Sequence, residues 1–399
     1  MAAWAVVSLF SLGLCRPAGG EWAGRPAAAE QAATVVLAPD SAGAAQEALE
    51  RWRAAATARG WRLVSAASDG ALEPGDEAVR LLEARTRQAG ADPVRTYLIG
   101  EGRSASVAFY AASRRPDLWA AAAAIGGSPR PAVETNRLFA ANTQWVPVLW
   151  IPHPEDATAD QWRQRLRQAG YNLAAPAAQN PSPEQVLAWL EARRRDAFPA
   201  QVDCETGRPE FARCYWIELT RLDFTRRNDV LAGSRVSPGT GATLDLGDFA
   251  FDAAAPGPGL LVSRLPEGYR GPLRPGDRLV AVGGKELADA RAYLEFLKQE
   301  KQERRVAVMV LRGRERLRLE TRIVAPRREE IETARVQAER LPESGEIEII
   351  SRGAAALRLR LPPAWAPARL RWNGLEAGVA DQAGCWELSE GSRAAPCAP

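Results

Sequence analysis

Histidine is almost absent from this chain, and it has no long apolar run after its first residues. The only histidine among 399 residues is His153, so an imidazole that takes up a proton at neutral pH can come from one position alone. A membrane-spanning helix needs roughly 18 apolar residues in a row. Basic and acidic side chains nearly balance, 52 against 49, which leaves no excess to neutralise a phosphate backbone. We therefore expect no membrane span in the mature chain and no nucleic-acid partner.

Cysteine is also scarce, and its spacing argues against a metal site. Cys204 and Cys214 flank one turn-rich segment, and Cys385 and Cys397 flank another. Neither couple has the two-residue spacing, or a nearby histidine, that a zinc site uses. Two local disulfides in an oxidising compartment are predicted, and the alternative is four buried free thiols in a cytosolic protein. No metal and no cofactor is expected.

Residues 1–23 resemble a signal peptide. Met1 to Leu14 is apolar and uncharged, and Cys15 and small residues follow it, as in an h-region and a cleavage zone. The basic n-region is missing, so a short membrane anchor or a mis-set start codon are the alternatives. Cys15 leaves with the signal or carries a lipid, because residues 12–15 half resemble a lipobox. The mature protein is expected to be secreted or periplasmic.

The periodicity of hydrophobic residues divides the rest of the chain into four segments. Strand and helix patterns alternate over residues 24–198, which indicates parallel pairing in a sheet covered on both faces. Residues 199–240 are interpreted as a β-rich linker module and 241–325 as a third unit. The period-two runs of 326–399 indicate a C-terminal β-rich module of half-buried strands. The predicted fold class is α/β, a three-layer parallel-sheet domain followed by smaller β-rich modules.

The most specific motif lies in the third unit. A Pro275-Gly276-Asp277 turn leads into an apolar strand over 278–282 and then into a Gly-Gly turn. This pattern resembles the PDZ domains of bacterial periplasmic proteases. The resemblance implies that a peptide or a protein C-terminus adds as a strand at a sheet edge, beside a helix over 288–298. The residues that would line this groove are Leu246, Gly247, Asp248, Phe249, Ala288, Tyr293 and Leu294.

One feature of the expected groove leaves its occupant open. Asp248 is a poor neighbour for a terminal carboxylate. Either its side chain points away, or the groove holds an internal segment of its own chain. A third interpretation is a PDZ fold that braces its neighbouring domains and has no ligand.

A second resemblance lies in the parallel-sheet segment. Residues 97–105 end a strand and open a helix, and a Pro116-Asp117-Leu118-Trp119 segment follows. This looks like the nucleophile elbow and the next helix of α/β-hydrolases of the esterase and prolyl-oligopeptidase kind, in which a serine stands between glycines on a sharp turn. The matching position here is Gly102, which has no side chain to attack with.

The other catalytic positions also depart from that family. A register centred on Ser104 conflicts with the spacing to Pro116, which fits Gly102. His153 follows a strand where the family carries the acid, which Glu155 or Asp156 would supply, and no histidine stands where the family has its base. Pro39 lacks the N–H that an oxyanion loop after the first strand would need. Loss of the family's catalytic activity, with the fold kept, would account for all of these departures.

Three functions are compatible with these patterns. The first is an exported non-catalytic protein, in which the hydrolase-like domain is a scaffold and the PDZ domain binds a peptide segment or a protein C-terminus. The second is an active serine esterase or peptidase that uses Ser104 or Ser106 with His153 and Asp156 in a rearranged site. The third is a structural envelope protein without a ligand. The missing nucleophile and base favour the first.

Overall fold

The computed structural model describes residues 32–66, 71–156, 158–178, 180–236, 242–247, 249–252, 254–265, 268–300, 302–324 and 331–398. The expected signal peptide over 1–23, Cys15, and Asp248 of the expected peptide-binding loop lie outside the described residues. Within these ranges, no helix is both long enough and apolar enough to cross a membrane. The described strands form four sheets.

The first unit is a six-stranded parallel sheet with helices on both faces. Its strands are β1 (Thr34–Ala38), β2 (Arg62–Ser65), β3 (Thr96–Glu101), β4 (Ala121–Ile125), β5 (Val148–Ile151) and β6 (Leu173–Ala174). Its helices are α1 (Ala45–Ala58), α2 (Asp76–Gln88), α3 (Ala105–Arg114), α4 (Arg130–Glu134), α5 (Ala159–Gln168) and α6 (Pro183–Glu191). The predicted parallel α/β domain is thereby confirmed.

The strand order of this sheet, β2-β1-β3-β4-β5-β6, fixes where a site can form. Side chains alternate between two cores: Val35 and Leu37 point into one, and Val36 and Ala38 into the other. Covered faces explain why these strands are apolar throughout. The order reverses between β1 and β3, and ligands of such sheets bind outside the carboxyl ends of the strands at that switch point.

The second half of the chain contributes seventeen further strands and one helix among its described residues. They are β7 (Gln201–Thr206), β8 (Arg213–Cys214), β9 (Ile217–Leu222), β10 (Thr243–Leu244), β11 (Ala250–Asp252), β12 (Leu260–Arg264), β13 (Arg278–Val282), β14 (Lys285–Glu286), α7 (Ala290–Gln299), β15 (Arg304–Arg312), β16 (Glu315–Val324), β17 (Ala334–Leu341), β18 (Glu346–Arg352), β19 (Ala354–Leu361), β20 (Ala368–Trp372), β21 (Leu375–Ala380), β22 (Gly384–Ser389) and β23 (Ala395–Pro396).

Two five-stranded sheets share one core and form a β-sandwich. Their orders are β21-β20-β18-β17-β7 and β23-β22-β19-β9-β8, and both contribute to a single hydrophobic cluster. β7 pairs with β17, and β9 pairs with β19. Residues 199–240 and 326–399 are therefore two parts of one unit, which corrects the division into separate modules. Pairing between strands so far apart in sequence does not change the hydrophobic periodicity within either segment, so it cannot be predicted from that periodicity.

Both expected cysteine pairs lie at disulfide distance. The Cα atoms of Cys204 and Cys214 are 6.3 Å apart, and those of Cys385 and Cys397 are 5.3 Å apart. The first pair joins β7 to β8 and so links the two sheets of the sandwich. The second pair joins β22 to the residue after β23. The expectation of four free thiols is therefore not met.

The third unit is inserted into the sandwich between β9 and β17. Its sheet has the order β10-β16-β15-β13-β12-β11, with β14 paired to β13. Tyr293, Phe296 and Leu297 of α7 pack into its core. The strand expected over 278–282 is confirmed. The expected helix begins at Ala290, two residues later than predicted, because the Asp289 carboxylate accepts a hydrogen bond from Ala292 N and caps it there.

Candidate functional site

The turn between β3 and α3 has the geometry of a nucleophile elbow. β3 ends at Glu101, and Gly102 follows with a φ of +56°, in the left-handed region that favours glycine. A short 3₁₀ turn then leads into α3. A Cβ at Gly100 would collide with the carbonyl oxygen of Ser104, and one at Gly127 with that of Gly102. The sharp strand-to-helix turn is thus preserved at the position where the sequence lacks a nucleophile.

Asp40 fills the space above this turn. It lies two residues after β1, the neighbour of β3 in the sheet. A Cβ on Gly102 would lie 2.7 Å from Asp40 Cβ and would collide with the carboxyl group. Asp40 Oδ1 accepts a hydrogen bond of 2.6 Å from Arg103 N. In an active nucleophile elbow, the backbone N–H of the residue after the nucleophile is a donor of the oxyanion hole. The N–H at the corresponding position here, that of Arg103, is already hydrogen-bonded to the Asp40 carboxylate.

The sequence patterns indicate a role for Pro39 but not for its neighbour Asp40. A usable signal existed, because the carboxyl ends of adjacent parallel strands meet at one edge of a sheet. A carboxylate directly after β1 would therefore face the turn after β3. The strand order that makes β1 and β3 neighbours had to be known first.

Ser104 and Ser106 are buried and already hydrogen-bonded. Their exposed fractions are 0% and 1%. Ser104 Oγ accepts a hydrogen bond of 2.8 Å from Leu72 N, and Ser106 Oγ donates one of 3.0 Å to Arg103 O. Neither hydroxyl faces solvent, where a substrate would have to reach it.

His153 and Asp156 belong to a local turn after β5. His153 is exposed, and its Nδ1 accepts a hydrogen bond of 3.3 Å from Glu155 N. Asp156 Oδ1 accepts hydrogen bonds from Thr158 N at 2.9 Å and from Thr158 Oγ1 at 2.7 Å. Among the described residues no hydrogen bond joins His153 to Asp156's carboxylate or to a serine at the elbow. The structure brings no Ser-His-Asp arrangement together.

The loop before β11 is the second candidate site. Leu246 is buried, and Gly247 has a φ of +75° with its α-carbon packed against Tyr269, since an added Cβ would lie 2.8 Å from Tyr269 Cε2. Tyr269 Oη donates a hydrogen bond of 2.5 Å to Leu246 O, and burial raises the Tyr269 pKa. Phe249 is half-buried and packs against the core. Tyr269 thus contacts both residues of the Leu246-Gly247 turn.

β11 is an edge strand beside α7. It pairs with β12, and no other strand among the described residues pairs with it. The ring of Phe251 on β11 lies 6.4 Å from that of Tyr293, in an edge-on arrangement. Leu294, the next residue of α7, is 51% exposed. β11 thus presents an edge that no described strand covers, and Leu294 is an exposed apolar side chain of the neighbouring helix.

The three helix residues expected in the groove have different positions. Tyr293 is buried in the core, and burial raises its pKa well above the usual range. Leu294 is exposed. Ala288 precedes α7, and its carbonyl oxygen accepts a hydrogen bond of 3.2 Å from Gly259 N. Within the described ranges, no group of three or more metal-ligating side chains occurs at either candidate site or elsewhere.

Comparisons with known proteins find similarity only in structure. No protein-family model matches the chain, and no curated protein matches it. A thermostable esterase aligns with 41% of this chain and 55% of its own, at 12% identity and a TM-score of 0.28. Esterase PE8 aligns with 40% of this chain and 90% of its own, at 16% identity and a TM-score of 0.29. The chain thus spans about half of the first of these esterases.

Proposed function

We propose that this is an exported, non-catalytic protein of the α/β-hydrolase type, in which the inserted unit binds an extended peptide as a PDZ domain does. The observation that carries the proposal is the free edge of β11 beside α7. A strand edge presents unpaired N–H and C=O groups, and a peptide laid along it gains backbone hydrogen bonds. The parallel-sheet domain and the sandwich serve as its scaffold.

The exposed Leu294 supplies the side-chain selectivity of the proposed groove. Leu294 is 51% exposed, so part of its apolar surface is available for contact with a peptide. A peptide residue seated against it would bury apolar area from both partners, which contributes about 25 cal/mol per Å². The Leu246-Gly247 turn is the candidate for holding a peptide carboxylate.

Asp40 supports the non-catalytic part of the proposal. A serine placed at Gly102 would have to displace a carboxylate that is hydrogen-bonded at 2.6 Å to Arg103 N. The same carboxylate would repel the oxyanion that acyl transfer develops at this point. The elbow is therefore closed by charge as well as by volume.

The contact between the first two units supports the scaffold role. Asn142 of the parallel-sheet domain is 3% exposed. Its Nδ2 donates to Glu205 O at 2.9 Å, and its Oδ1 accepts from Glu205 N at 2.6 Å, so the amide replaces a missing strand partner of β7. Phe211 of the sandwich segment stacks 4.5 Å from the guanidinium carbon of Arg114, a side chain that is 1% exposed. Such a buried polar interface fixes two units against each other.

Export is proposed because the chain holds two disulfides, which persist in oxidising compartments. N-terminal sequencing of the mature protein tests it. A mature terminus near residue 24 supports cleavage of a signal peptide.

A peptide-binding experiment on the full chain tests the proposed function. An array of short peptides, with free carboxyl termini and with internal sequences, is probed with the intact protein. Leu294→Asp is expected to weaken binding of any captured peptide at least about ten-fold, because it places a charge on the apolar contact. Leu375→Asp is the matched control, since Leu375 is also exposed, at 75%, but lies on the sandwich.

Two results would contradict the proposal. Absence of any captured peptide would leave the inserted unit as a brace. Covalent labelling of the intact protein by a fluorophosphonate probe would show an activated serine and would contradict the non-catalytic part alone.

A further inference from the structure

The two disulfides differ in exposure. Cys204 and Cys214 are 4% and 2% exposed and lie inside the sandwich core. Cys385 and Cys397 are both only half-buried. A dithiol reductant has to reach a sulfur atom along the line of the S–S bond, so access decides which disulfide is attacked first. The second pair is the accessible one.

The accessible disulfide holds a short segment across the open side of the sandwich. β23 is two residues long and pairs with β22 through Trp386 with Pro396 and Glu387 with Ala395. Cys397 N donates to Cys385 O at 3.0 Å. On the other sheet, Ala394 N donates to Ala377 O of β21 at 2.7 Å. Segment 394–397 thus links β22 of one sheet to β21, the outermost strand of the other.

Few contacts besides the disulfide hold this segment in place. Ala395 and Pro396 are exposed, and Ala394 is half-buried against the core. A backbone hydrogen bond contributes less net stability than a disulfide that closes a loop of this size. Without the covalent link, the ordering entropy of the segment outweighs what remains.

We propose that Cys385–Cys397 is a redox-sensitive latch, and that its reduction releases segment 394–397 and exposes the edge of β22. Two electrons and two protons from a dithiol reductant convert the disulfide into two thiols, while the two thiols of the reductant become a disulfide. β22 then becomes the last strand of its sheet, with its outer backbone groups unpaired, and such an edge accepts another strand. Cys204–Cys214 stays oxidised and keeps the sandwich folded.

Graded reduction of the native full chain tests the latch. The protein is incubated with increasing dithiothreitol, quenched with N-ethylmaleimide and digested, and alkylation is measured by mass spectrometry. Cys385 and Cys397 are expected to react at reductant concentrations at least about ten-fold below those needed for the buried pair. Hydrogen exchange at the amides of Ala394 and Cys397 is expected to accelerate at least about ten-fold after this step, and exchange in β9 and β19 to stay unchanged.

A variant pair provides an independent readout. Cys385→Ser with Cys397→Ser should reproduce the fast exchange of segment 394–397 without reductant, and Cys204→Ser with Cys214→Ser should not. Simultaneous reduction of both disulfides would overturn the proposal. So would slow exchange of Ala394 and Cys397 after selective reduction, a result that needs no variant to fold.

Discussion

Asp40 Oδ1 accepts a hydrogen bond of 2.6 Å from the backbone N–H of Arg103. The two residues follow neighbouring strands of the parallel sheet, and their contact closes the strand-to-helix turn at Gly102. Arg103 Nε also lies 3.6 Å from the same oxygen. The turn therefore holds a carboxylate of its own chain above Gly102.

The first prediction concerns the space above Gly102. Gly102→Ala is expected to lower the free energy of unfolding by about 3 kcal/mol, from the left-handed backbone and from displacement of Asp40. In an Asp40→Ala background the same substitution should cost only about 1 kcal/mol, because the collision is gone. Gly60→Ala is the matched control, with a φ of +64° and no atom within 4 Å of an added Cβ. Urea unfolding of the four proteins of this cycle measures the coupling, and equal costs in both backgrounds would contradict it.

The second prediction is that a hydroxyl at the elbow does not restore hydrolysis. Gly102→Ser combined with Asp40→Gly removes the volume conflict, yet no imidazole is placed to take the serine proton, because His153 is held in its own turn. Hydrolysis of p-nitrophenyl acetate by the double variant should equal that of the wild type. A burst of nitrophenolate, abolished by His153→Ala, would show that His153 can reach the elbow after all.

The third prediction concerns Asp277, the last residue of the Pro275-Gly276-Asp277 turn. Asp277 is 1% exposed and accepts two hydrogen bonds from the Arg312 guanidinium, both 2.8 Å, and one from Arg274 N. Burial alone would raise the Asp277 pKa, but these donors outweigh it and hold the pKa below its usual range. The stabilisation is therefore complete above the unfolded-state pKa of about 4 and is lost as the pH falls through the lower folded-state value.

Asp277→Asn tests this assignment. At neutral pH, hydrogen exchange of the β13 and β15 amides, corrected for intrinsic rates, should accelerate at least about ten-fold. The difference from the wild type should begin to shrink below about pH 4 and disappear as the pH falls through the lower folded-state pKa, where the wild-type carboxylate becomes protonated. Asp245→Asn is the control, because Asp245 pairs with Arg322 at 2.9 Å with both side chains more than half exposed. A difference that stays constant with pH would show that the charge is not responsible.

The fourth prediction concerns the contact between the parallel-sheet domain and the sandwich. Asn142→Ala leaves the N–H and C=O of Glu205 unpaired in a buried interface, and should lower the free energy of unfolding by roughly 2–4 kcal/mol. Asn172→Ala removes an exposed hydrogen bond of 2.9 Å to Gln144 O and should cost less than about 0.5 kcal/mol. Thermal unfolding of both variants measures the difference. Similar losses would contradict the role given to Asn142.

The sequence by itself determined the features that depend on residues close together in the chain. Alternating strand and helix periods predict the parallel sheet, and residues 97–105 predict the strand-to-helix turn between β3 and α3. The spacing of Cys204 with Cys214 and of Cys385 with Cys397 predicts both disulfides. Each of these features depends on residues within one turn, one element or one short loop. Such patterns can be read without knowing the rest of the fold.

Only the tertiary structure decided what distant segments do together. Asp40 reaches Arg103 because β1 and β3 are neighbours, although 63 positions separate the two residues. β7 joins β17 in one sheet, as the ion pair between Asp203 and Arg335 shows across 132 positions. A strand can form backbone hydrogen bonds with the edge of any suitable strand. The hydrophobic periodicity of a segment therefore does not predict which strand it pairs with. The pairing partner is determined by burial of apolar side chains in a common core. As a result, the modules expected over residues 199–240 and 326–399 form one sandwich.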